Sequence, residues 1–587
     1  MNRKERRAAR KNKHAPPDGP GGEPSIVEAL LAKGKELIAA GDDEAALDLA
    51  CRIILIEETP GTKALFIRCV KGWSYFPGAE EMQGVLARAL REAWTWPTQI
   101  LGPVLGILRN DKLIGSALDR ASKAWPQRLV AHELFGAGGL AAIASHALLL
   151  ALMESTQIPD RGFERLLTTI RCAVLEAATA AVADDNIVRF ASALARQCLI
   201  NEYVFEVTAK ERTRVNQLRE AIRASFESGT PVPPLGLAAL AAYVRLDALP
   251  LKSDWEKSWP KSLPELLDLQ VREPAALLRY RASIPRLTPI TDDVSLTVRN
   301  QYEENPYPRW ARSPAAASPV TIDAFLRREF PHHDFASRRT KPQLDILVAG
   351  CGTGRQSIDF AQLYEGAKVL AVDLGLSSLS YAKAKTSAAG LDNITYAQAD
   401  ILELGRLGKT FDVIVSSGVL HHLAEPMTGW QVLSSLLRPG GVMYIGLYSE
   451  TARRGIVAAR NWIAARGYKV TSDDIRACRQ ELARIDDPAW RSVFTMIDFF
   501  TTSECRDLLF HVQEHRFTLP QIAAFLDDNN LRFLGFNIGA KALRKFRARY
   551  PAARELSDLR LWHAFETENP DTFVNMYQFW VRKSAQG

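Results

Sequence analysis

Ile346-Leu347-Val348-Ala349-Gly350-Cys351-Gly352-Thr353-Gly354 sets three glycines at alternate positions directly after a short apolar run. No other stretch narrows the folding options of the chain as much. The apolar run reads as a buried strand, and Gln356 to Tyr364 beyond the glycines reads as a helix. A glycine has no Cβ and can take φ > 0, so the turn lets a nucleotide lie against bare main chain near the helix N-terminus.

The residues that follow extend this unit. Leu344–Val348, Lys368–Val372, Ile394–Ala397, Phe411–Val415 and Val442–Tyr448 are short apolar runs alternating with helical patterns, which predicts a parallel sheet with crossover helices. Asp373 ends the second run 19 residues after Gly354, where a carboxylate can accept ribose hydroxyls. Asp400 follows the third run. The fourth enters Ser416-Ser417-Gly418-Val419-Leu420-His421-His422, and Leu437-Arg438-Pro439-Gly440-Gly441 predicts a sharp turn into the fifth.

In this combination the chain resembles the class I S-adenosylmethionine-dependent methyltransferases, over roughly Gln301 to Lys583. Spacing separates it from a dinucleotide site. The glycines run GxGxG, and Arg355 stands where the NAD fingerprint has its third glycine, so a large side chain there opposes close helix-to-strand packing. The resemblance implies an α/β fold with a doubly wound, Rossmann-like sheet and S-adenosylmethionine as cofactor. Gly350, Cys351, Gly352, Thr353 and Gly354 would line the methionine and ribose portion, Asp373 and Leu374 the ribose, and Asp400 and Ile401 the adenine. Ser417 and Tyr302 complete the implied cofactor set. The family's usual acid two residues before the first glycine is Val348 here, so the methionine ammonium needs another anchor.

A sulfonium already makes its methyl carbon electrophilic, so the protein's task is to align an acceptor and, where the acceptor carries a proton, to supply a base. His421 and His422 lie at the carboxyl end of the fourth strand, where open α/β sheets place their ligands, and Tyr448 ends the fifth. These three are the catalytic candidates. Residues Tyr302, Glu303, Glu304, Asn305 and Tyr307 read either as a cap excluding water or as an aromatic staple between domains.

Mainly helical insertions are expected near 450–530 and 540–574, ahead of strand-like Leu531–Phe536 and Met576–Val581. Insertions at a sheet edge commonly choose the substrate. Tyr307, Phe499, Phe500, Arg506, Glu514, His515 and His563 are the acceptor-site candidates. His511-Val512-Gln513-Glu514-His515 matches the H-x-x-E-H spacing of one group of zinc peptidases, but five residues inside a methyltransferase-like half are a small match, and no metal is expected. Asn305-Pro306-Tyr307-Pro308 precedes the glycine motif and lacks the adjacent prolines of base-gripping loops, and Glu303-Glu304 does not follow strand four as the paired glutamates of arginine methyltransferases do.

Ahead of the sheet the pattern is helical. Ile26, Leu30, Leu31, Leu37 and Ile38 recur at helical spacing, Gly41-Asp42-Asp43 interrupts them, and Ala45–Ile56 forms a second amphipathic run that Pro60 should close. This hairpin resembles a tetratricopeptide repeat. Val85–Trp94, Phe163–Val182, Val188–Phe205 and Arg212–Phe226 continue the helices, so 24–290 reads as an all-α, repeat-like domain, and such arrays often present a groove to a partner. A disordered basic arm is expected at 1–23, a linker and cofactor lid at 291–340, and the methyltransferase domain at 341–587.

Charge bears on partners. Lys and Arg number 74 against 67 Asp and Glu, yet residues 1–14 alone hold seven basic side chains and one acidic, leaving the body nearly neutral. A folded basic face for nucleic acid is therefore missing. Seven scattered cysteines form no CxxC pair, so a reducing cytoplasm is the expected setting. Leu134–Met153 lacks formal charge, but three glycines, Ser145 and His146 dilute it, so no membrane span is expected. The expected acceptor is a protein or peptide brought by the helical domain; a small molecule is the alternative, and a cofactor-binding scaffold without turnover the third reading.

Overall fold

A computed structural model describes residues 26–178, 184–249, 263–303, 309–315, 318–335 and 342–584. The basic arm and, from the expected lid, residues 304–308 with Tyr307 among them lie outside these residues.

Seven strands form one mixed sheet: β1 (Leu344–Ala349), β2 (Ala367–Asp373), β3 (Ile394–Gln398), β4 (Phe411–Ser417), β5 (Leu437–Tyr448), β6 (Leu531–Phe536) and β7 (Met576–Lys583). Their order is β3-β2-β1-β4-β5-β7-β6. Strands β1 to β5 pair in parallel, and β7 is antiparallel to both β5 and β6. The parallel reading thus holds for five strands, and an antiparallel pair closes the edge. Helices cover both faces of the central strands, which explains their apolar runs: Leu344, Ile346, Leu347, Val348 and Ala349 are all buried.

The structure corrects the expected turn before the fifth strand. Phe411 pairs with Leu437 but Val413 with Val442, so Arg438-Pro439-Gly440-Gly441 form an irregularity inside β5, with Gly440 at φ 76°. Proline has no N–H to give a ladder, and such a break is where a sheet tolerates it. The order reverses between β1 and β4, and there a crevice opens beyond the strand ends.

The helical half begins with the expected hairpin, Ile26–Ala40 and Asp43–Ile56, joined through Gly41 at φ 78°. Pro60 is not a stop; it starts the next helix, Pro60–Val70, in the first turn where its missing N–H costs nothing, beneath a Thr59 capping box. Longer helices follow at Arg161–Ala177, Asp185–Ile200 and Ala209–Ser228, each offset by a few residues from the sequence reading. The uncharged stretch Leu134–Met153 breaks into short pieces, Ala131–Phe135, Ala141–Ala144 and Ala147–Ser155, because its glycines interrupt it. Among the described residues no helix is long and apolar enough to cross a membrane.

After β5 come helices Arg454–Arg466, Ser472–Ile485, Thr502–Phe510 and Leu519–Asp528, then Ala540–Arg549 and Leu559–Glu568 between β6 and β7. Of these, Ser472–Ile485 and Thr502–Phe510 dock on the helical half. Arg479, 1% exposed, pairs with Glu164 at 2.7 Å and donates to the Phe499 carbonyl at 2.7 Å. Glu202 accepts from the Ser503 N–H at 2.6 Å, and Gln157 donates to Glu504. A buried charge is tolerated when paired, as Arg479 is with Glu164, and these contacts fix how the two halves meet.

Candidate functional site

A cavity of about 610 Å³ opens at the strand-order reversal. Its floor is the turn from β1 into helix Arg355–Leu363. Gly350 has φ 78°, and a Cβ there would run into the γ-carbons of Val419; Gly354 has φ 84°, and a Cβ would come within 2.7 Å of Ala382 and the Tyr396 hydroxyl. Both positions admit glycine alone. Asp373 at the end of β2 is tied to this turn: Oδ2 accepts the Gly352 N–H at 2.8 Å and Oδ1 the Gly375 N–H at 2.9 Å. Burial raises its pKa, and those N–H donors oppose the rise. Each carboxylate oxygen keeps acceptor capacity for a ligand on the cavity side.

The implied cofactor residues converge. Gly350, Cys351, Gly352, Thr353, Asp373, Leu374, Asp400, Ile401 and Ser417 all border the cavity. Gly354 lies just beneath, as the N-cap of the helix. Asp400 caps its own turn, accepting from the Leu402 N–H at 3.0 Å, and its backbone N–H donates to Thr288 Oγ1 at 2.8 Å. Tyr302 sits in helix Asp293–Glu303, with its side chain outside the described set. That helix reaches the site through Glu303, which accepts from the Leu376 N–H at 2.8 Å and pairs with Arg281 at 2.7 Å, while Ser295 and Val298 border the cavity.

Beyond Ser417 the cavity continues to His422, Tyr448, Asp498, Asp507 and Asn575. Here the two neighbouring histidines part company. His422 borders the cavity, whereas His421 is fully buried behind the Tyr448 ring, stacked on it at 3.5 Å. Of these two catalytic candidates only His422 meets the cavity, because consecutive residues in a tight turn point apart.

One backbone residue sets the protons of the next pair. The Gln513 carbonyl accepts from His422 Nδ1 at 2.8 Å, leaving Nε2 as a lone pair. The Gln513 N–H donates to His511 Nδ1 at 3.0 Å, so Nε2 of that ring carries its hydrogen. The rings stack at 3.8 Å, and their Nε2 atoms lie 3.9 and 3.7 Å from Asp507 Oδ1. Tyr448 donates to Asp507 Oδ2 at 3.4 Å. His422, Asp507 and His511 have ligand atoms within 4.8 Å of one another, but a metal on His511 Nε2 would need the tautomer that Gln513 opposes. The donor set therefore fits proton handling better than metal binding.

Burial lowers the pKa of His422 against the opposing pull of Asp507, so the ring is neutral near pH 7. His511 is brought down to about 4, again by burial first. Asp498 is pushed up to about 6 by burial and by the Asp507 carboxylate. Burial holds the Tyr448 phenol well above its usual value, so it stays a donor.

Four of the acceptor candidates read from sequence lie away from the cavity. Glu514 is held by Arg453 at 2.7 Å and Arg460 at 2.6 Å. Phe499 packs under the Arg479 guanidinium at 4.5 Å. His515 meets Gln513 Nε2 at 2.8 Å, and Arg506 is buried; none of these four borders the cavity. Helix Thr502–Phe510 ends before His511, so the H-x-x-E-H residues lie on a loop and share no helix face. The residues missed were Asp498, Asp507 and Asn575. Only the spacing of Asp507 and His511, four apart across a helix end, offered a signal for the cluster.

Residues 346–441 match a family model described as a methyltransferase domain. A ubiquinone biosynthesis O-methyltransferase of Parvibaculum lavamentivorans is 31% identical over 138 residues, 23% of this chain and 53% of that protein. An uncharacterised protein of Synechococcus sp. is 29% identical over 214 residues, 33% of this chain and 50% of its own length. The chain thus spans about half the length of these curated relatives. Among solved structures, PKMT2 from Rickettsia typhi covers 46% of this chain and 54% of its own at 19% identity, with a TM-score of 0.36. Over residues 346–441 the chain is thus similar to methyltransferase domains, and the cofactor that goes with this likeness is S-adenosylmethionine.

Proposed function

We propose that the protein transfers the methyl group of S-adenosylmethionine to an acceptor carrying an ionisable proton, which enters the cavity at His422, Tyr448, Asp498 and Asp507. One observation carries this reading: the glycine turn with Asp373 and the proton-handling cluster border a single cavity. The cofactor, when bound, supplies a methyl carbon activated by its sulfonium. The chain's own residues do the rest. Asp373 and Asp400 orient the nucleoside, and Tyr448 and Asn575 shape the acceptor's seat. His422 Nε2 takes the acceptor's proton as its nitrogen or oxygen attacks, and Asp507, 3.9 Å away, stabilises the imidazolium that results. The methyl–sulfur bond breaks as the methyl–acceptor bond forms, and the electron pair stays on sulfur as S-adenosylhomocysteine.

A small molecule is the favoured acceptor. The helical half commits Glu164, Glu202 and Gln157 to holding the inserted helices, so that face serves the fold. A relative's name points to small-molecule methylation as well. A protein or peptide acceptor draws support from a second cavity of about 910 Å³ between the helical half and the segment carrying Ala311 and Arg312. Labelled S-adenosylmethionine incubated with the protein and size-separated fractions of a lysate decides between them. Label in the low-mass fraction is expected. Label in the protein fraction would establish the second acceptor class, and no transfer to any fraction would overturn the enzymatic reading in favour of a cofactor-binding scaffold.

A further inference from the structure

Val348 leaves the cofactor's amino-acid end without the acid that usually precedes the first glycine, and the helix after the glycine turn holds an opposite-charge pair facing the same cavity. Arg355 and Asp359 are one helical turn apart on helix Arg355–Leu363, and both border the cavity beside Thr353. Each feels the other's charge, but among the described residues no ion pair within 4.0 Å joins them, and Trp96 engages Asp359 at Oδ1. Their other contacts come from the helical half. Trp96 Nε1 donates to Asp359 Oδ1 at 2.8 Å, the Arg355 guanidinium lies 4.2 Å over the Trp96 ring, and Arg355 donates to Thr98 Oγ1 at 3.3 Å. Trp96 is itself 6% exposed, held edge-on by Trp310, whose Nε1 donates to the Thr353 carbonyl at 3.2 Å.

The chemistry of these groups matches a zwitterion. We propose that Asp359 takes the α-ammonium and Arg355 the α-carboxylate of the cofactor's methionine end, and that Trp96 and Thr98 of the helical half are positioning residues for the two. This rests on the S-adenosylmethionine reading above. A carboxylate and a guanidinium fixed on one helix face select a ligand with both charges, and a guanidinium at a helix N-terminus adds to the attraction for an anion. The helical half then belongs to the cofactor site, because removing it removes the groups that aim both charges. Burial raises the Asp359 pKa, and the Trp96 N–H opposes the rise, so the same indole also helps keep that carboxylate ionised for a cation.

Calorimetry on the full chain with two nucleosides tests this: S-adenosylhomocysteine, which carries the zwitterion, and 5′-methylthioadenosine, which lacks it. The wild type should bind the first more tightly. Asp359→Asn and Arg355→Gln should each weaken S-adenosylhomocysteine by about 10- to 100-fold and leave 5′-methylthioadenosine within about twofold. Trp96→Phe keeps the ring and loses the N–H; it should weaken S-adenosylhomocysteine by about fivefold or more, again sparing the truncated ligand. Equal loss for both ligands, or no loss for either, in Asp359→Asn and Arg355→Gln would overturn the assignment. A Trp96→Phe variant with wild-type selectivity would overturn the positioning role. Should the wild type bind neither nucleoside, the cofactor reading itself fails, a result distinct from both.

Discussion

At His422 the proton location is set by the main chain, since the Gln513 carbonyl fixes Nδ1–H and leaves Nε2 to accept. His422→Gln should therefore lower kcat by about 10²- to 10⁴-fold, with S-adenosylhomocysteine affinity unchanged; single-turnover label transfer and calorimetry read the two separately. Asp498 carries a pH signature. Its carboxyl is pushed up from 3.8 to about 6, so it is charged only above that pH. kcat/KM should fall as pH drops through about 6, and Asp498→Asn should remove that limb of the profile. Stability runs the other way. Between 3.8 and about 6 the folded chain holds a proton that the unfolded chain has released, so stability declines as pH rises through this window. Asp498→Asn should accordingly melt at a higher temperature than wild type at pH 7, which differential scanning checks.

Single elements differ in how far their sequence announces them. The five parallel strands were legible because their central residues are buried and read as short apolar runs; β1 departs from its expected span by one residue. The glycine turn was legible because positive φ at Gly350 and Gly354 admits little else. Gly350→Ala should abolish measurable S-adenosylhomocysteine binding by calorimetry, with a stability loss of about 1–3 kcal/mol by denaturant melt, since the added Cβ meets Val419 in a left-handed backbone. The acceptor end was legible only at His422 and Tyr448. Asp498, Asp507 and Asn575 come from separate parts of the insertion and the approach to β7, and only the folded loops bring them to one wall. Phe499 and Glu514 lie against buried arginines, and an aromatic or a carboxylate in an insertion reads alike whether it meets a ligand or such a partner.

Across the whole molecule the two halves are joined by charge placed out of water. Arg479→Leu leaves Glu164 buried and unpaired and should cost about 3–5 kcal/mol; adding Glu164→Leu should recover much of that loss, because the double change removes both charges. Urea melts followed by circular dichroism check both variants, and equal midpoints for the single variant and wild type would refute the role of this pair.

The Trp96–Trp310 contact, with ring centroids 5.4 Å apart, sets one indole from the helical half against another above the glycine turn. That arrangement is an intrinsic optical gauge. Loading of the cavity beneath, or separation of the halves, should each shift tryptophan emission, and a Trp310→Phe control assigns the signal to this spot among the chain's twelve tryptophans.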